Sequence, residues 1–178
     1  MLRLLTAALV SALMSLTACG EMGGTEEMAN ANLAEGTNRA FSHTVTTKAS
    51  ADAIWRLWTD VTTWKEWDRG LKDAQLTGPM ELGATGRILP LSGPASTFEI
   101  TEFVDGESYA FQTRMPLARL IVRRSLISQD PVTFRHDVSF EGLGAGFWAG
   151  RFGPGFRAAL PPTMKALSAY AEAEGATQ

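Results

Sequence analysis

Turn-forming residues divide the stretch from residue 73 to residue 141 into six short segments, and this division limits the possible folds more than any other feature. The turns are marked by Gly78-Pro79, Gly83, Ser92-Gly93-Pro94, Asp105-Gly106 and Asp130-Pro131. Glycine and proline at such points interrupt regular structure, and the short segments between them are typical of strands. Sequential strands at this spacing predict an antiparallel meander. The predicted strands span residues 73–77, 85–91, 97–104, 108–114, 119–128 and 132–141.

Helical patterns flank this meander. After a predicted strand over residues 41–47, Ser50 is placed to cap a helix, and a short helical turn follows over residues 64–68. The apolar stripe of the first helix consists of Ile54, Leu57, Trp58 and Val61. A C-terminal helix has a stripe of Leu160, Met164, Leu167 and Ala171. We expect Pro161 or Pro162 to lie in the first turn of that helix, because an interior proline would break it.

These elements must bury their apolar faces against one another, which predicts an α+β fold. A curved antiparallel sheet of about seven strands wraps around a long C-terminal helix, with two short helices after the first strand.

The last two predicted strands have a register that their side chains specify. If Asp130 centres a three-residue loop, apolar residues face one another on one side of the hairpin and opposite charges on the other. The facing pairs are Leu126 with Phe134, Val122 with Val138, Leu120 with Phe140, Arg123 with Asp137, and Arg119 with Glu141. Arg124 then faces His136. We expect these two residues to form a polar pair on an otherwise apolar surface that faces a cavity.

The N-terminus has the pattern of a secretory signal. Arg3 precedes an apolar stretch, residues 4–16, which is too short to cross a bilayer because a spanning helix needs roughly 20 residues. The run Leu16-Thr17-Ala18-Cys19-Gly20 resembles the lipobox of bacterial lipoproteins. The resemblance implies removal of residues 1–18 and lipidation of Cys19. An ordinary cleaved signal with an incidental cysteine, or an uncleaved anchor, is the alternative.

The resemblance to a lipobox implies a location in the bacterial cell envelope. Residue 20 is not the aspartate that retains such proteins in the inner membrane, which favours the periplasmic face of the outer membrane in a Gram-negative cell. Residues 19–40 have the composition of a flexible tether, so the predicted folded domain spans residues 41–175.

The charge of the predicted domain argues against nucleic acid as a partner. Beyond residue 40 the chain has 14 basic and 15 acidic residues, which is nearly neutral. With one cysteine, assigned to lipid, and two distant histidines, we expect neither a metal site nor a cofactor.

Several motifs resemble one known family. They are Ile54-Trp55, Thr59-Asp60-Val61, Trp64, Trp67-Asp68, Leu76-Thr77-Gly78-Pro79, Gly83, Gly86, residues 98–103 and His136-Asp137-Val138. In this order they resemble the polyketide cyclase/dehydrase and lipid-transport family of the SRPBCC superfamily, which includes START and birch-pollen-allergen-like proteins. The resemblance implies a helix-grip fold with an apolar cavity between the C-terminal helix and the sheet. Members of the family include ligand carriers, cyclases and dehydratases, so it implies no single activity.

The expected lining of that cavity combines the predicted sheet face with neighbouring helices. It consists of Trp58, Phe98, Phe111, Val122, Arg124, Phe134, His136, Val138, Phe140 and Met164. Histidine exchanges protons near neutral pH, and arginine holds a carboxylate or a developing oxyanion, so His136 and Arg124 are the catalytic or ligand-orienting candidates. The alternative is a structural pair that backbone or acidic groups satisfy. Trp58, Trp64 and Trp67 line a ligand mouth or form ordinary core, and we expect His43 at the surface.

The glycine-rich segment Gly142 to Gly155 also contains Phe147, Trp148 and Phe152. As a loop it would serve as a lid, touch a membrane, or tuck its rings under the helix.

Three functions fit these features. The first is a membrane-anchored protein that binds or transfers a small hydrophobic, lipid-like ligand. The second is a cyclase or dehydratase acting on a polyketide-like substrate. The third is an interaction protein with a collapsed cavity. The oligomeric state and the identity of the ligand are open at this point.

Overall fold

The computed structural model describes residues 33–176. The predicted signal (residues 1–18), the lipidation site Cys19 and the first part of the tether lie outside the described residues. The strands are β1 (Glu35–Gly36), β2 (Ala40–Thr46), β3 (Leu71–Thr77), β4 (Thr85–Pro90), β5 (Ser96–Val104), β6 (Ser108–Met115), β7 (Ala118–Gln129) and β8 (Val132–Glu141). The helices are α1 (Ala51–Thr59), α2 (Trp64–Trp67) and α3 (Ala145–Gly175), with a 3-10 turn at Val61–Thr63.

All eight strands form one antiparallel, curved sheet in the order β1-β2-β8-β7-β6-β5-β4-β3. Strands β3 to β8 make the predicted meander, and β2 closes against β8 at the far side. The predicted α+β helix-grip architecture is confirmed, with the two-residue strand β1 added at the edge.

The N-terminal edge of the sheet lies within the segment that was predicted to be tether. Ala34 is fully buried, and β1 pairs with β2. The prediction that the tether extends to residue 40 is therefore wrong for this part of the chain. A short polar sequence can still be ordered when its backbone finds hydrogen-bond partners in the folded body.

Helix α1 begins as the sequence predicts. The Ser50 hydroxyl accepts a hydrogen bond from the Ala53 amide at 3.2 Å, which satisfies one of the free donors at the helix start. Ile54, Leu57 and Trp58 are buried along one side of α1. This stripe packs the helix into the core and fixes the position of Trp58.

Helix α3 is much longer than the sequence predicts. It begins at Ala145 and continues to Gly175, with Pro154, Pro161 and Pro162 in its interior. The prediction of a proline in the first turn is wrong, and so is the prediction of a glycine-rich loop or lid over residues 142–155. Residues 145–155 are the beginning of this helix.

Contacts with the N-terminal segment explain how α3 tolerates these residues. Pro161 has no amide hydrogen to donate to the Arg157 carbonyl four residues earlier. That carbonyl instead accepts a hydrogen bond from the Ala34 amide at 3.1 Å, and the Arg157 Nε donates to the Ala34 carbonyl at 2.7 Å. Gly153 lies directly against the Asn38 backbone, where a Cβ atom would clash. The segment around residues 34–38 therefore supplies partners that a sequence pattern of α3 alone does not reveal.

The β7–β8 hairpin has the predicted register. Arg124 lies opposite His136, Val122 opposite Val138, and Arg119 opposite Glu141. The loop contains two residues, Asp130 and Pro131, rather than three, and a bulge between Leu126 and Ser128 makes up the difference. Among the described residues, no helix combines the length and apolar character that crossing a membrane requires.

Candidate functional site

A row of polar residues crosses the helix-facing side of the sheet. Each residue of the row lies directly opposite the next on the neighbouring strand. The row runs from His43 on β2 through His136 on β8 and Arg124 on β7 to Tyr109 on β6. Residues directly opposite one another project to the same face, so the four side chains share one face. Arg124 and His136 are 4% and 2% exposed, Tyr109 is buried and His43 is half-buried. We call these four residues the polar row.

Apolar residues flank the polar row on both sides. One neighbouring row contains Phe41, Val138, Val122 and Phe111, and the other contains Val45, Phe134 and Leu126. The predicted pairing of Arg124 with His136 is found, within a row of four polar residues between two apolar rows. That this face lines a cavity stays a prediction. His43, which we expected at the surface, is half-buried and lies beside His136, because β2 pairs with β8.

The guanidinium of Arg124 lies in a cage of aromatic rings. Its central carbon is 4.3 Å from the ring centroid of Trp64 and 5.0 Å from that of Trp67. The rings of Tyr109 and Phe111 are each 5.6 Å away. Within residues 33–176 no carboxylate forms an ion pair with this guanidinium. Cation–π attraction, about 2 kcal/mol for a desolvated cation, takes the place of a counter-ion.

Tyr109 connects this cation to the end of α1. The Arg124 Nη1 donates a hydrogen bond to the Tyr109 hydroxyl at 2.6 Å. The hydroxyl in turn donates to the Trp58 carbonyl at 3.0 Å, and the Trp64 Nε1 donates to the same carbonyl at 3.0 Å. Burial raises the pKa of Tyr109 to about 12, despite the opposing charge and hydrogen bond of Arg124. The side chain is therefore a neutral hydroxyl at physiological pH.

His136 is a neutral base in this environment. Its ring lies 5.4 Å from the ring of Trp58 and 6.0 Å from that of Phe134. Burial lowers the pKa of His136 well below its ordinary value, and the charges of Arg124 and His43 lower it further. A neutral imidazole has one nitrogen that donates and one that accepts.

Four buried nitrogen atoms at this place have no hydrogen-bond partner. In the part of the chain that the structure describes, the unpaired buried side-chain atoms are Trp58 Nε1, Trp67 Nε1, Arg124 Nε and His136 Nε2. Trp67 contacts the guanidinium, and Trp58 contacts His136. An unpaired buried polar group costs about 1–3 kcal/mol, so four around one centre are expensive. Three of them are donors, which suits an oxygen-bearing group.

Asp68 is the acid whose charge couples to Arg124. It is half-buried after α2, and its carboxylate accepts a hydrogen bond from the Gly70 amide at 2.9 Å. Burial raises the pKa of Asp68, while the Gly70 amide and the charge of Arg124 oppose that change. Asp68 forms no ion pair with Arg124, so the structural alternative, in which an acid satisfies the arginine, finds no such contact among the described residues.

The ten predicted lining residues are buried, except that Val122 is half-buried. Most of their rings contact one another. Phe98 and Phe111 have ring centroids 5.4 Å apart, and Trp58 and Phe134 have theirs 5.8 Å apart. Phe140 lies apart from this group, against Phe156 of α3 at 6.3 Å. Aromatic rings therefore occupy the region where the resemblance implies a cavity.

A surface hollow of about 390 Å³ borders this aromatic interior. Its apolar lining is Trp55, Met80 and Phe103, and its polar lining is Arg56, Thr59, Asp60 and Asp105. The Trp55 ring lies 6.1 Å from that of Tyr109 and 6.3 Å from that of Trp58. One half-buried indole thus lies between the hollow and the polar row.

Sequence reasoning missed Tyr109, His43 and Trp55 as parts of this site. A second hairpin register, pairing β6 with β7 as β7 pairs with β8, would have placed Tyr109 opposite Arg124. No local signal reveals His43, because its partner strand lies some ninety residues away along the chain.

A sequence profile described as polyketide cyclase/dehydrase and lipid transport matches residues 38–172. This match covers most of the chain, and it agrees with the helix-grip architecture. The chain belongs to the polyketide cyclase/dehydrase and lipid transport family. No curated protein sequence matches the chain.

Solved structures with the same fold come from diverse proteins. A protein from Nitrosomonas europaea has 11% identity and a TM-score of 0.62, with 80% of this chain and 99% of that chain covered. The Zhui aromatase/cyclase from a Streptomyces species has 18% identity and a TM-score of 0.57, with 75% and 93% covered. Norcoclaurine synthase from Thalictrum flavum has 12% identity and a TM-score of 0.53, with 77% and 96% covered. At these identities the likeness shows the fold alone.

Proposed function

We propose that this chain binds or transfers a small hydrophobic, lipid-like molecule whose oxygen-bearing end lies at the polar row. The four unpaired nitrogens around Arg124 and His136 carry this proposal. Three donors and one imidazole nitrogen match a carbonyl, carboxylate or phenolic oxygen. The surrounding aromatic rings would contact the apolar remainder of the ligand.

Entry of the ligand requires movement of aromatic side chains. The rings fill the interior, while the hollow beside Trp55 is open to solvent. Displacement of the Trp55 ring would join the hollow to the polar row, because this indole contacts both Trp58 and Tyr109. The ligand would replace ring-to-ring contacts with its own and would satisfy the unpaired nitrogens.

Native mass spectrometry of the purified chain tests this function. We expect a co-purifying apolar molecule, seen as a mass shift that disappears after extraction with organic solvent. Arg124→Gln should lose the mass shift, and Arg123→Gln, which changes an exposed arginine, should keep it. A wild-type mass equal to that of the bare polypeptide, together with no uptake of added fatty acids or isoprenoids, would contradict binding.

The proposal includes attachment to a membrane through lipid on Cys19, at the periplasmic face of the outer membrane in a Gram-negative cell. A hydrophobic ligand dissolves in the same membrane, so the anchor keeps the binding site near its supply. Labelling of cells with a fatty-acid probe, comparing wild type with Cys19→Ala, tests the anchor. Equal labelling of the two proteins would remove it.

The second candidate is a cyclase or dehydratase that acts on a polyketide-like substrate. The neutral His136, with its unpaired Nε2, favours this candidate, because it can accept a proton beside the guanidinium of Arg124. Two proteins of similar fold are described as aromatase/cyclases. In this case His136→Ala should reduce turnover of a poly-β-ketone substrate far more than it reduces ligand retention. Ligand retention without turnover by the wild type supports the carrier instead.

A further inference from the structure

Exposed apolar side chains gather at the beginning of α3 and at the neighbouring β6–β7 turn. They are Leu117, Leu143, Phe147, Phe152 and Phe156, which are 75%, 95%, 69%, 37% and 42% exposed. Trp148 connects the two parts, because its Nε1 donates a hydrogen bond to the Pro116 carbonyl at 3.0 Å. We call these five residues and Trp148 the α3 patch. Exposed apolar clusters of this kind mark surfaces that bind a partner.

The rings of the α3 patch form a continuous stack that is fixed to the core. Trp148 and Phe152 are nearly parallel with centroids 5.7 Å apart, and Phe152 and Phe156 follow at 6.2 Å. Phe156 then stacks on the buried Phe140 of β8 at 6.3 Å. The exposed rings are therefore held in place by the fold. The exposed position of these rings is thus part of the folded structure.

The surroundings of the α3 patch favour an anionic partner. Residues 142–171 contain no aspartate or glutamate, but they contain Arg151, Arg157 and Lys165. The Arg151 guanidinium lies 5.3 Å from the Phe152 ring centroid, within the patch. The nearest preceding acid, Glu141, is already paired with Arg119 at 2.7 Å. Exposed rings with Arg151 beside them, on a stretch of helix without aspartate or glutamate, have the composition that binds the interface of anionic bilayers.

The N-terminal segment joins the folded body beside this patch. Ala34 is hydrogen-bonded to Arg157, one residue after Phe156. Thirteen residues, 20–32, separate Cys19 from the first described residue. Fully extended at about 3.5 Å per residue, they reach at most about 45 Å. An anchor at Cys19 would therefore keep the beginning of α3, with its patch, within about 45 Å of the membrane.

We propose that the α3 patch lies on the surface of an anionic phospholipid bilayer. The rings of Phe147, Trp148 and Phe152 enter the boundary between headgroups and acyl chains, and Arg151 contacts the phosphate groups. This inference rests on the proposed attachment through Cys19 for the direction in which the body faces. The patch itself requires only an anionic membrane surface.

Quenching of tryptophan fluorescence by brominated lipids tests this arrangement. The full chain, in vesicles of phosphatidylcholine and phosphatidylglycerol with brominated acyl chains, contains five tryptophans. Four of them, Trp55, Trp58, Trp64 and Trp67, belong to α1 and α2, and Trp148 alone belongs to the patch. We expect quenching in the wild type and loss of most of it in Trp148→Phe. Equal quenching in wild type and Trp148→Phe would overturn the proposal.

A second pair of variants keeps Trp148 as the reporter and guards against misfolding. Phe147→Ser changes a patch residue that is 69% exposed, and Leu91→Ser changes an apolar residue of similar exposure, 67%, outside the patch. We expect reduced quenching in the first and unchanged quenching in the second. Omission of phosphatidylglycerol should weaken quenching in the wild type. Equal values for the two variants, or a patch that is protected by a second copy of the chain and not by lipid, would contradict the proposal.

Flotation separates failure of the anchor from failure of the patch. The anchor predicts that the wild type, but not Cys19→Ala, stays with membranes after a high-salt wash. If both proteins float equally and a fatty-acid probe labels both equally, lipidation of Cys19 is wrong, and quenching of Trp148 still tests the patch. If only the wild type floats but its Trp148 is not quenched, the anchor holds and the patch proposal fails.

Discussion

Arg123 and Arg124 are consecutive residues of β7 with opposite environments. Arg123 projects to the outer face of the sheet, is exposed, and pairs with Glu102 on β5. Arg124 projects to the inner face, is 4% exposed, and contacts four aromatic rings and one hydroxyl. The outer face also contains the ion pairs Arg119–Glu141 and Arg135–Asp137. The same side chain is thus solvated and paired on one face, and buried without an acid on the other.

The two environments suit two different roles, solvation on the outer face and the proposed ligand binding on the inner face. Exposed ion pairs contribute about 0–1 kcal/mol and are readily exchanged for water. A buried cation loses its hydration, and a protein that needed only stability would place an apolar residue there. The guanidinium inside, with one unpaired N–H and three other unpaired nitrogens nearby, is the feature that the proposed ligand would satisfy. Four predictions test this comparison, beginning with the largest effect.

Removal of the buried charge should have the largest effect, on ligand retention. Arg124→Gln should weaken binding of the co-purifying ligand by about 2–5 kcal/mol, because a desolvated charged contact is lost. Arg123→Gln should leave binding unchanged. Titration of each delipidated protein with the extracted ligand, followed by native mass spectrometry, measures the difference. Equal affinities for the two variants would break the distinction between the two faces.

Removal of one buried hydroxyl should have the next largest effect, on stability. Tyr109→Phe takes away the acceptor for the Arg124 Nη1 and one donor to the Trp58 carbonyl. A hydrogen bond to a charged group contributes about 1.5–3 kcal/mol, so the free energy of unfolding, measured with urea, should fall by that amount. Tyr170→Phe on α3, where the ring is half-buried, should stay within about 0.5 kcal/mol of the wild type. A loss of similar size in both would show that the Tyr109 hydroxyl has no special role.

The pH dependence of stability should reveal the neutral state of His136. Its pKa is lowered in the folded protein, so the unfolded chain takes up the proton first as the pH falls. The contribution to stability is complete above the unfolded pKa of about 6.5 and is lost below it, by up to about 1.4 kcal/mol per pH unit. His136→Leu should flatten the profile between about pH 6.5 and 5.5, and His43→Gln should keep most of the slope. Urea unfolding at several pH values measures both.

The exposed pairs should give the smallest effect. Arg119→Gln and Arg123→Gln each remove one ion pair of the outer face, and each should change the free energy of unfolding by less than about 1 kcal/mol. The change should fade as salt is added, because exposed charges are screened. A larger and salt-independent loss would mean that the outer face is not the solvated surface described above.

The sequence predicted the part of the site that local alternation specifies. Charges on one side and apolar residues on the other fix the β7–β8 register, so Arg124 opposite His136 was predictable. The ion-pair partner of Arg123 was not predictable in this way. Asp137 faces it in the register but pairs with Arg135, while Arg123 reaches Glu102 across β6. Long flexible side chains choose among several acids that a register alone does not distinguish.

Long-range contacts account for the rest. The beginning of α3 contains glycines and prolines that local propensity rejects, and Ala34 and Asn38 compensate from more than one hundred residues away. Tyr109 required a second hairpin register, and His43 required knowledge that β2 pairs with β8. The α+β arrangement of a meander and a C-terminal helix was predictable because turn residues and apolar periods repeat along the chain, and the family resemblance implied the helix-grip fold. The composition of the polar row depends on how distant strands meet.

The aromatic cage around Arg124 has a consequence for the charge of the proposed ligand. Arginine keeps its positive charge throughout the physiological pH range, and no acidic side chain among residues 33–176 forms an ion pair with this guanidinium. A cationic amphiphile that entered would meet this charge with little water to screen it, so repulsion would be strong. Neutral or anionic molecules of the same size and shape meet no such barrier. If the interior takes up a ligand as proposed, the buried Arg124 would act against positively charged compounds and leave neutral and anionic ones unhindered.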